Sequence, residues 1–126
     1  MLRALLIHEE YVEQILKRKK TWEIRGSRIA IRDLIGLIPS GSGTITGVCE
    51  VVDCIGPLSV TSFRTNAAKA GMRPSEAKLG HYSKTYAWVL KRARRLERPV
   101  RYRHPSGAVI WVNLEGRVER AIRTQL

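Results

Sequence analysis

The sequence predicts a mixed α+β domain organised around a partly open β-barrel of about six strands, with two or three short flanking helices. Short apolar runs with strand alternation or β-branched residues recur along the chain, and glycines and prolines separate them. Helical periodicity is confined to brief segments. A length of 126 residues predicts a single domain, residues 1–126, that buries a core without disulfides or metal.

The charge balance points to a polyanionic partner. Twenty-three Lys and Arg against eleven Asp and Glu give a net charge of +12, and nucleic acid is the polyanion that such a field favours. No apolar run approaches the roughly 20 residues of a membrane span, so we expect a cytoplasmic protein without a membrane partner. Cys49 and Cys54 are predicted to be packed thiols, and the scattered His8, His81 and His104 predict neither metal nor cofactor.

A short amphipathic helix is predicted after a first strand over residues 2–7. Its first turn carries acids and its end, residues 17–20, carries bases, an order that complements the helix macrodipole. Val12, Ile15 and Leu16 form the i, i+3, i+4 apolar stripe that packs the helix against a core.

An antiparallel hairpin is predicted next. Leu34–Ile38 and the β-branched run Thr44–Ile55 have the composition of strands, and the turn Ser40–Gly43 joins them. The hydroxyls and free N–H groups of this turn could hold a phosphate. A plain connection is favoured, because the lysine and the following helix of a P-loop are missing.

The middle of the chain predicts an excursion from the barrel followed by an aromatic strand. Residues 56–80 are expected to form a flexible cationic flap with short helices over residues 62–70 and 74–79. The strand Thr85–Leu90 places Tyr86 and Trp88 on one face. These rings could fill the core or stack on a base.

The strongest cationic stretch is Lys91–Arg103, where Glu97 alone offsets seven Lys or Arg. Its end alternates as an edge strand should, and it is either a solvated edge or a stripe that follows phosphates. Ala108–Leu114 predicts a central strand with Trp111 in the core, and residues 115–126 predict a short amphipathic helix.

The run Lys17–Arg25 changes from helical to strand periodicity and sets one acid among five bases. A strand here puts Trp22 and Ile24 on an apolar face and Glu23 and Arg25 on a polar one. The polar face is either a ligand site or an ordinary surface ion pair, worth about 0–1 kcal/mol.

The spacing Lys20-x-x-Glu23-x-Arg25 after a short helix resembles the signature G-x-K-x-x-E-x-R of the ASCH domain, a PUA-like β-barrel family. Arg18 stands where the signature has glycine. A side chain at such a left-handed helix end costs on the order of 1 kcal/mol, so the turn that precedes Lys20 is where this chain departs from the family. The order of three further segments extends the resemblance over most of the chain: Gly47–Glu50, Tyr86–Trp88 and Pro99–Trp111.

The resemblance implies a basic cleft that receives RNA, another nucleic acid or a modified nucleoside. Arginines would engage phosphates, Glu23 would accept a hydrogen bond from a base or ribose, and an aromatic ring would supply a stacking face. The binding residues expected on this basis are Lys20, Glu23, Arg25, Arg28, Trp88, Arg94, Arg95, Arg101 and Arg103.

The alternative that the resemblance implies is a hydrolase, because some ASCH-like proteins are similar to amidohydrolases of N4-acylated cytidine and others are described as ribonucleases. The threonine that the amidohydrolases use as nucleophile is replaced by Glu23 here. Glu23 could still act as a general base while Lys20 stabilises an oxyanion. For RNA cleavage, the candidates are Lys20 with Tyr86 or Ser40.

Overall fold

The computed structural model describes residues 1–126 and contains a six-stranded mixed sheet, three α-helices and two 3-10 turns. The strands are β1 Leu2–Ile7, β2 Trp22–Arg25, β3 Leu34–Pro39, β4 Thr44–Ile55, β5 Tyr86–Arg101 and β6 Trp111–Leu114. The helices are α1 Glu9–Leu16, α2 Val60–Thr65 and α3 Gly116–Arg123, and the 3-10 turns are Ala67–Ala70 and Pro74–Glu76. No helix has the length and apolar character needed to cross a membrane.

The strand order is β2-β5-β4-β3-β1-β6, in which β1 and β3 are parallel and every other pair is antiparallel. Three register shifts along the β4–β5 ladder bend these two long strands. The predicted β3–β4 hairpin is confirmed. The partly open α+β sheet with short helices is the predicted class of fold.

Helix α1 packs on the sheet through Val12, Ile15 and Leu16, the stripe predicted from the sequence. Gly47 in β4 permits the close approach, because a Cβ added there would lie 2.4 Å from Leu16 Cδ2. A second core lies beneath Ile122 of α3. The sheet therefore has a helix on each of two separate apolar clusters.

The segment 56–80 differs from the predicted flexible flap, because it packs its own core against the sheet. Phe63, Ala70 and Ala77 are buried in a cluster with Trp22 of β2. Instead of two helices, the segment contains α2 and the two 3-10 turns. Small alanine side chains let these short turns lie close to the sheet, where they form one wall beside β2.

Two strand predictions are wrong in their bounds or position. Residues 86–101 form one strand rather than two, with Arg92 at φ 53° within it. The segment predicted as a central strand contributes only β6, which pairs with β1 alone at an edge of the sheet. Its apolar start is exposed instead, with Val109 78% and Ile110 43% accessible. Trp111 is half-buried and stacks on Trp88 with 6.0 Å between ring centroids.

Candidate functional site

The turn between α1 and β2 sets the position of Lys20. Arg18 adopts the left-handed conformation, with φ 62°, that the glycine of the signature would favour. Its guanidinium donates hydrogen bonds of 3.3 and 3.2 Å to the carbonyl of Ala93, and the N–H of Lys20 donates to the carbonyl of Gln14. These bonds offset a backbone cost of about 1 kcal/mol, so the turn forms without the glycine.

Lys20, Glu23 and Arg25 form a buried cluster rather than a surface ion pair. Lys20 Nζ lies 3.5 Å from Glu23 Oε1, and Arg25 Nε donates to Glu23 Oε2 at 2.7 Å. Lys20 Nζ also donates to the carbonyl of Ala70 at 2.8 Å, and Arg25 Nη2 donates to that of Leu6 at 3.1 Å. The side chains of Lys20 and Glu23 are 2% and 7% exposed. One carboxylate therefore serves two cations, which leaves a net positive charge.

Burial changes the acid–base behaviour of this cluster. Desolvation lowers the pKa of Lys20, the attraction of Glu23 opposes that shift, and the repulsion of Arg25 adds to it. The ammonium also lies 4.8 Å from the ring centroid of Tyr11. The pKa of Tyr11 is raised, by burial first and then by nearby carboxylates. Lys20 thus loses its proton more readily than an ordinary lysine.

A cavity of about 620 Å³ opens beside this cluster, and we call it the motif cavity. It lies between α1, β2, the end of β1 and the wall formed by residues 56–85. Its lining combines charged, hydroxyl and flat aromatic groups, namely Lys20, Glu23, Arg25, Ser40, Glu76, Lys78, His8, Tyr11, His81 and Tyr82. Such a mixture provides hydrogen-bonding groups of both kinds together with surfaces for a planar ring.

The structure places four of the expected site residues at the motif cavity: Lys20, Glu23, Arg25 and Ser40. Tyr86 and Trp88 do not line it. Both are buried, at 6% and 3% exposure, and Trp88 Nε1 donates to the carbonyl of Ser27 at 2.8 Å. Neither ring presents a free face to a ligand, which corrects the stacking role expected for Trp88 and the catalytic role expected for Tyr86.

Apart from Arg25, the expected arginines do not line the motif cavity. Arg28 is exposed outside its lining and donates to the carbonyl of Gly56. Arg95 forms two hydrogen bonds with Glu13. Arg94, Arg101 and Arg103 lie beyond the end of the β2–β5 ladder, which stops at Val89. The cationic stretch is therefore a separate surface.

Thirteen of the 17 lining residues were not among the expected site residues, and four of these thirteen carry polar aromatic rings: His8, Tyr11, His81 and Tyr82. His8 and Tyr11 stand three residues apart at the start of α1, a spacing that puts them on one helical face. This spacing was a usable signal. His81 and Tyr82 reach the cavity through an irregular segment, where periodicity gives no direction.

A small α+β domain with a lysine just before a short strand, and a glutamate and an arginine within that strand beside a cavity, defines the ASCH class of PUA-like folds. The family model of the ASCH domain matches residues 5–100. The chain belongs to the ASCH domain family.

Solved structures of the ASCH protein from Zymomonas mobilis have a similar fold. The crystal structure of that ASCH protein is 14% identical, with a TM-score of 0.73 over 97% of this chain and 93% of the other. A tyrosine-to-phenylalanine mutant has 14% identity and a TM-score of 0.73 over 97% and 96%. A serine-to-alanine mutant has 14% identity and 0.71 over 97% and 94%. No curated protein matches the chain.

Proposed function

We propose that this protein binds single-stranded nucleic acid, RNA in the first place, and takes one unstacked nucleotide into the motif cavity. The observation that carries the proposal is the buried Lys20–Glu23–Arg25 cluster at the wall of a cavity of about 620 Å³. Small-molecule sites have volumes of about 300–1,000 Å³. Membership of the ASCH family, whose PUA-like fold suits RNA, supports the same partner.

The chemistry of the lining fits the parts of a nucleotide. Each oxygen of Glu23 contacts one cation and keeps acceptor capacity for an amino group of a base or a ribose hydroxyl. Arg25 and Lys78 offer cationic groups for a phosphate. Tyr82, which is 36% exposed, offers a ring face on which a base can stack. Unstacked bases of this kind occur in single-stranded RNA and not within a duplex.

The net charge of +12 adds an attraction for any polyanion that does not depend on sequence. This term weakens as salt rises, because each neutralised phosphate releases condensed counterions. Selection among nucleic acids must therefore come from the cavity. We expect single-stranded RNA to bind more tightly than double-stranded RNA or DNA at equal length and salt.

The test compares Tyr82→Ala with Leu79→Ala, since Leu79 is exposed on the same segment but lies outside the cavity lining. Both variants are titrated with labelled single- and double-stranded RNA and DNA at two salt concentrations. Loss of one stacking face weakens single-stranded RNA binding by about 5- to 150-fold in Tyr82→Ala. The Leu79→Ala protein keeps wild-type affinity. Equal affinities in the two variants, or no RNA binding at low salt, would refute the proposal.

Hydrolysis is the second candidate, and the lowered pKa of the buried Lys20 favours it. In the fraction of molecules in which this amine is deprotonated, it can accept a proton from an attacking hydroxyl or water at the cavity wall. Glu23 is a weaker candidate for the base, because each of its oxygens already contacts a cation. Ser40 lines the motif cavity and Tyr86 does not.

The test for hydrolysis incubates wild type and Lys20→Met with single-stranded RNA and, separately, with N4-acetylcytidine. Methionine keeps the length of the side chain and removes the amine. Products are separated on gels and by chromatography, and circular dichroism verifies that the variant is folded. Turnover by wild type that is lost in Lys20→Met supports catalysis. Unchanged substrates with wild type exclude both reactions.

A further inference from the structure

The outer face of α3 carries three arginines. Ile122 is fully buried beneath the helix, and Val118 packs beside it. At 100° per residue, the opposite side is occupied by Arg117, Arg120 and Arg123, all of which are exposed. The helix therefore shows one apolar stripe to the core and one cationic stripe to solvent.

The end of α3 is joined to the cationic half of β5 by Gln125. Its side-chain Oε1 accepts from the N–H of Arg98 at 2.8 Å, and its Nε2 donates to the carbonyl of Arg98 at 2.9 Å. Arg94 Nη2 donates to the main-chain carbonyl of Gln125 at 3.2 Å. These bonds bring two β5 arginines next to the helix. We call the combined set the α3–β5 arginine surface, and its members are Arg94, Arg98, Arg117, Arg120 and Arg123.

Carboxylates neutralise only part of this surface. Glu119 pairs with Arg123 at 2.8 Å and with the terminal amine of Met1 at 3.7 Å. Arg117 and Arg120 form no ion pair. The exposed acids nearby in the chain are Glu97 and Glu115. The surface keeps an excess of positive charge, and guanidinium groups bind phosphate through two parallel hydrogen bonds.

The α3–β5 arginine surface and the motif cavity lie at different ends of the sheet. Helix α3 follows β6, whose last residue, Leu114, pairs with Leu2 at the start of β1. The motif cavity lies at the other end of β1, where Ile7 and His8 contribute to its lining. A six-residue strand spans about 20 Å. A stacked strand of about six nucleotides covers that distance.

We propose that the α3–β5 arginine surface is a second phosphate-binding surface, which holds the backbone of the single-stranded RNA whose unstacked nucleotide enters the motif cavity. The choice of RNA as occupant rests on the proposed function, whereas the positive excess itself does not. The surface contacts phosphates and carries no base specificity. It makes affinity depend on the length of the RNA, because a dinucleotide in the cavity does not reach it.

The test uses Arg117→Gln with Arg120→Gln, and the matched control is Lys17→Gln with Lys19→Gln. Both double variants lower the net charge from +12 to +10, and all four residues are exposed. Affinity for a labelled dinucleotide and a labelled 12-nucleotide RNA is measured at several salt concentrations. Wild type and the lysine control bind the longer RNA more tightly. The arginine variant loses this advantage, and its slope of log K against log salt falls by about 1.4, or 0.7 per phosphate contact.

The outcomes separate this inference from the proposed function. Dinucleotide affinity stays unchanged in both double variants if the cavity binds as proposed. If the dinucleotide fails to bind while the arginine variant alone weakens 12-nucleotide binding, the proposed function falls and the arginine surface stands. Equal losses in both double variants, no length dependence in wild type, or no binding of either RNA would overturn the inference.

Discussion

Substituting Glu23 by glutamine tests the buried cluster, because this carboxylate contacts both Lys20 and Arg25. The change keeps the shape of the side chain and removes its charge. Breaking a buried ion pair from one side costs about 3–5 kcal/mol. An amide oxygen still accepts one hydrogen bond, so we expect the free energy of unfolding to fall by about 3 kcal/mol at pH 7.

Replacing Lys20 should lower the free energy of unfolding less than replacing Glu23 does. Lys20→Met leaves Glu23 paired with Arg25 at 2.7 Å and removes the hydrogen bond to Ala70. An unsatisfied buried carbonyl costs about 1–3 kcal/mol, and the apolar replacement recovers part of that. We therefore expect a loss of about 1–2 kcal/mol. In the Lys20→Met, Glu23→Gln double variant, the total loss should be smaller than the sum of the two single losses.

Urea unfolding followed by tryptophan fluorescence measures these differences, and a pH series adds a second readout. The pKa of Lys20 in the folded state is below its ordinary 10.5, so the folded protein bears the cost of a charged amine at neutral pH. That cost declines as pH rises from the folded pKa towards 10.5. Without Glu23 the pKa falls further, and the deficit of Glu23→Gln should shrink on going from pH 7 to pH 10. If Glu23→Gln lowers the free energy of unfolding by less than about 1 kcal/mol at pH 7, or by the same amount at every pH, the role of the buried cluster is refuted.

Three further predictions follow from local geometry. The free energy of unfolding in urea should be about 1 kcal/mol higher for Arg18→Gly than for Arg18→Ala, because both lose the guanidinium but only glycine suits φ 62°. The reverse order would contradict a strained turn at residue 18. Gly26→Ala places a Cβ 2.6 Å from Tyr82 Cδ1, so the ring must shift and RNA titrations should show weaker binding. Unchanged affinity would count against Tyr82 as a binding face. Burial raises the pKa of Cys49 from 9.0 to about 12. The free energy of unfolding of wild type should therefore fall by about 1.4 kcal/mol from pH 8 to pH 10, a fall that Cys49→Ala does not show. Parallel pH profiles of the two proteins in urea unfolding would contradict this.

The meeting of Lys20, Glu23 and Arg25 is predictable from the sequence, because strand alternation puts residues 23 and 25 on one side and the turn brings Lys20 beside them. Their burial is not. The acceptor for Lys20 is the carbonyl of Ala70, fifty residues further along the chain. That contact depends on how the segment 56–80 packs. The composition of this segment does not predict that it packs against the sheet.

The positions of Tyr86 and Trp88 show a limit of alternation as a signal. The first half of β5 is covered on both faces: Trp88 lies in the core under α1, and Ala87 lies in the core of the segment 56–80. When both faces are buried, alternation does not reveal which one borders a ligand. The apolar run before β6 predicts a buried central strand, but Val109 and Ile110 are exposed and β6 lies at an edge of the sheet.

The bonds between Gln125 and Arg98 also affect how β5 meets other chains. Strand β5 continues past the end of β2, and Arg98 falls in the irregular stretch between two β4 pairings. Unpaired N–H and C=O groups on a strand invite pairing with a second molecule and, from there, aggregation. The amide of Gln125 occupies both groups of Arg98. The turn that follows α3 thereby prevents a strand of another molecule from pairing with this part of β5.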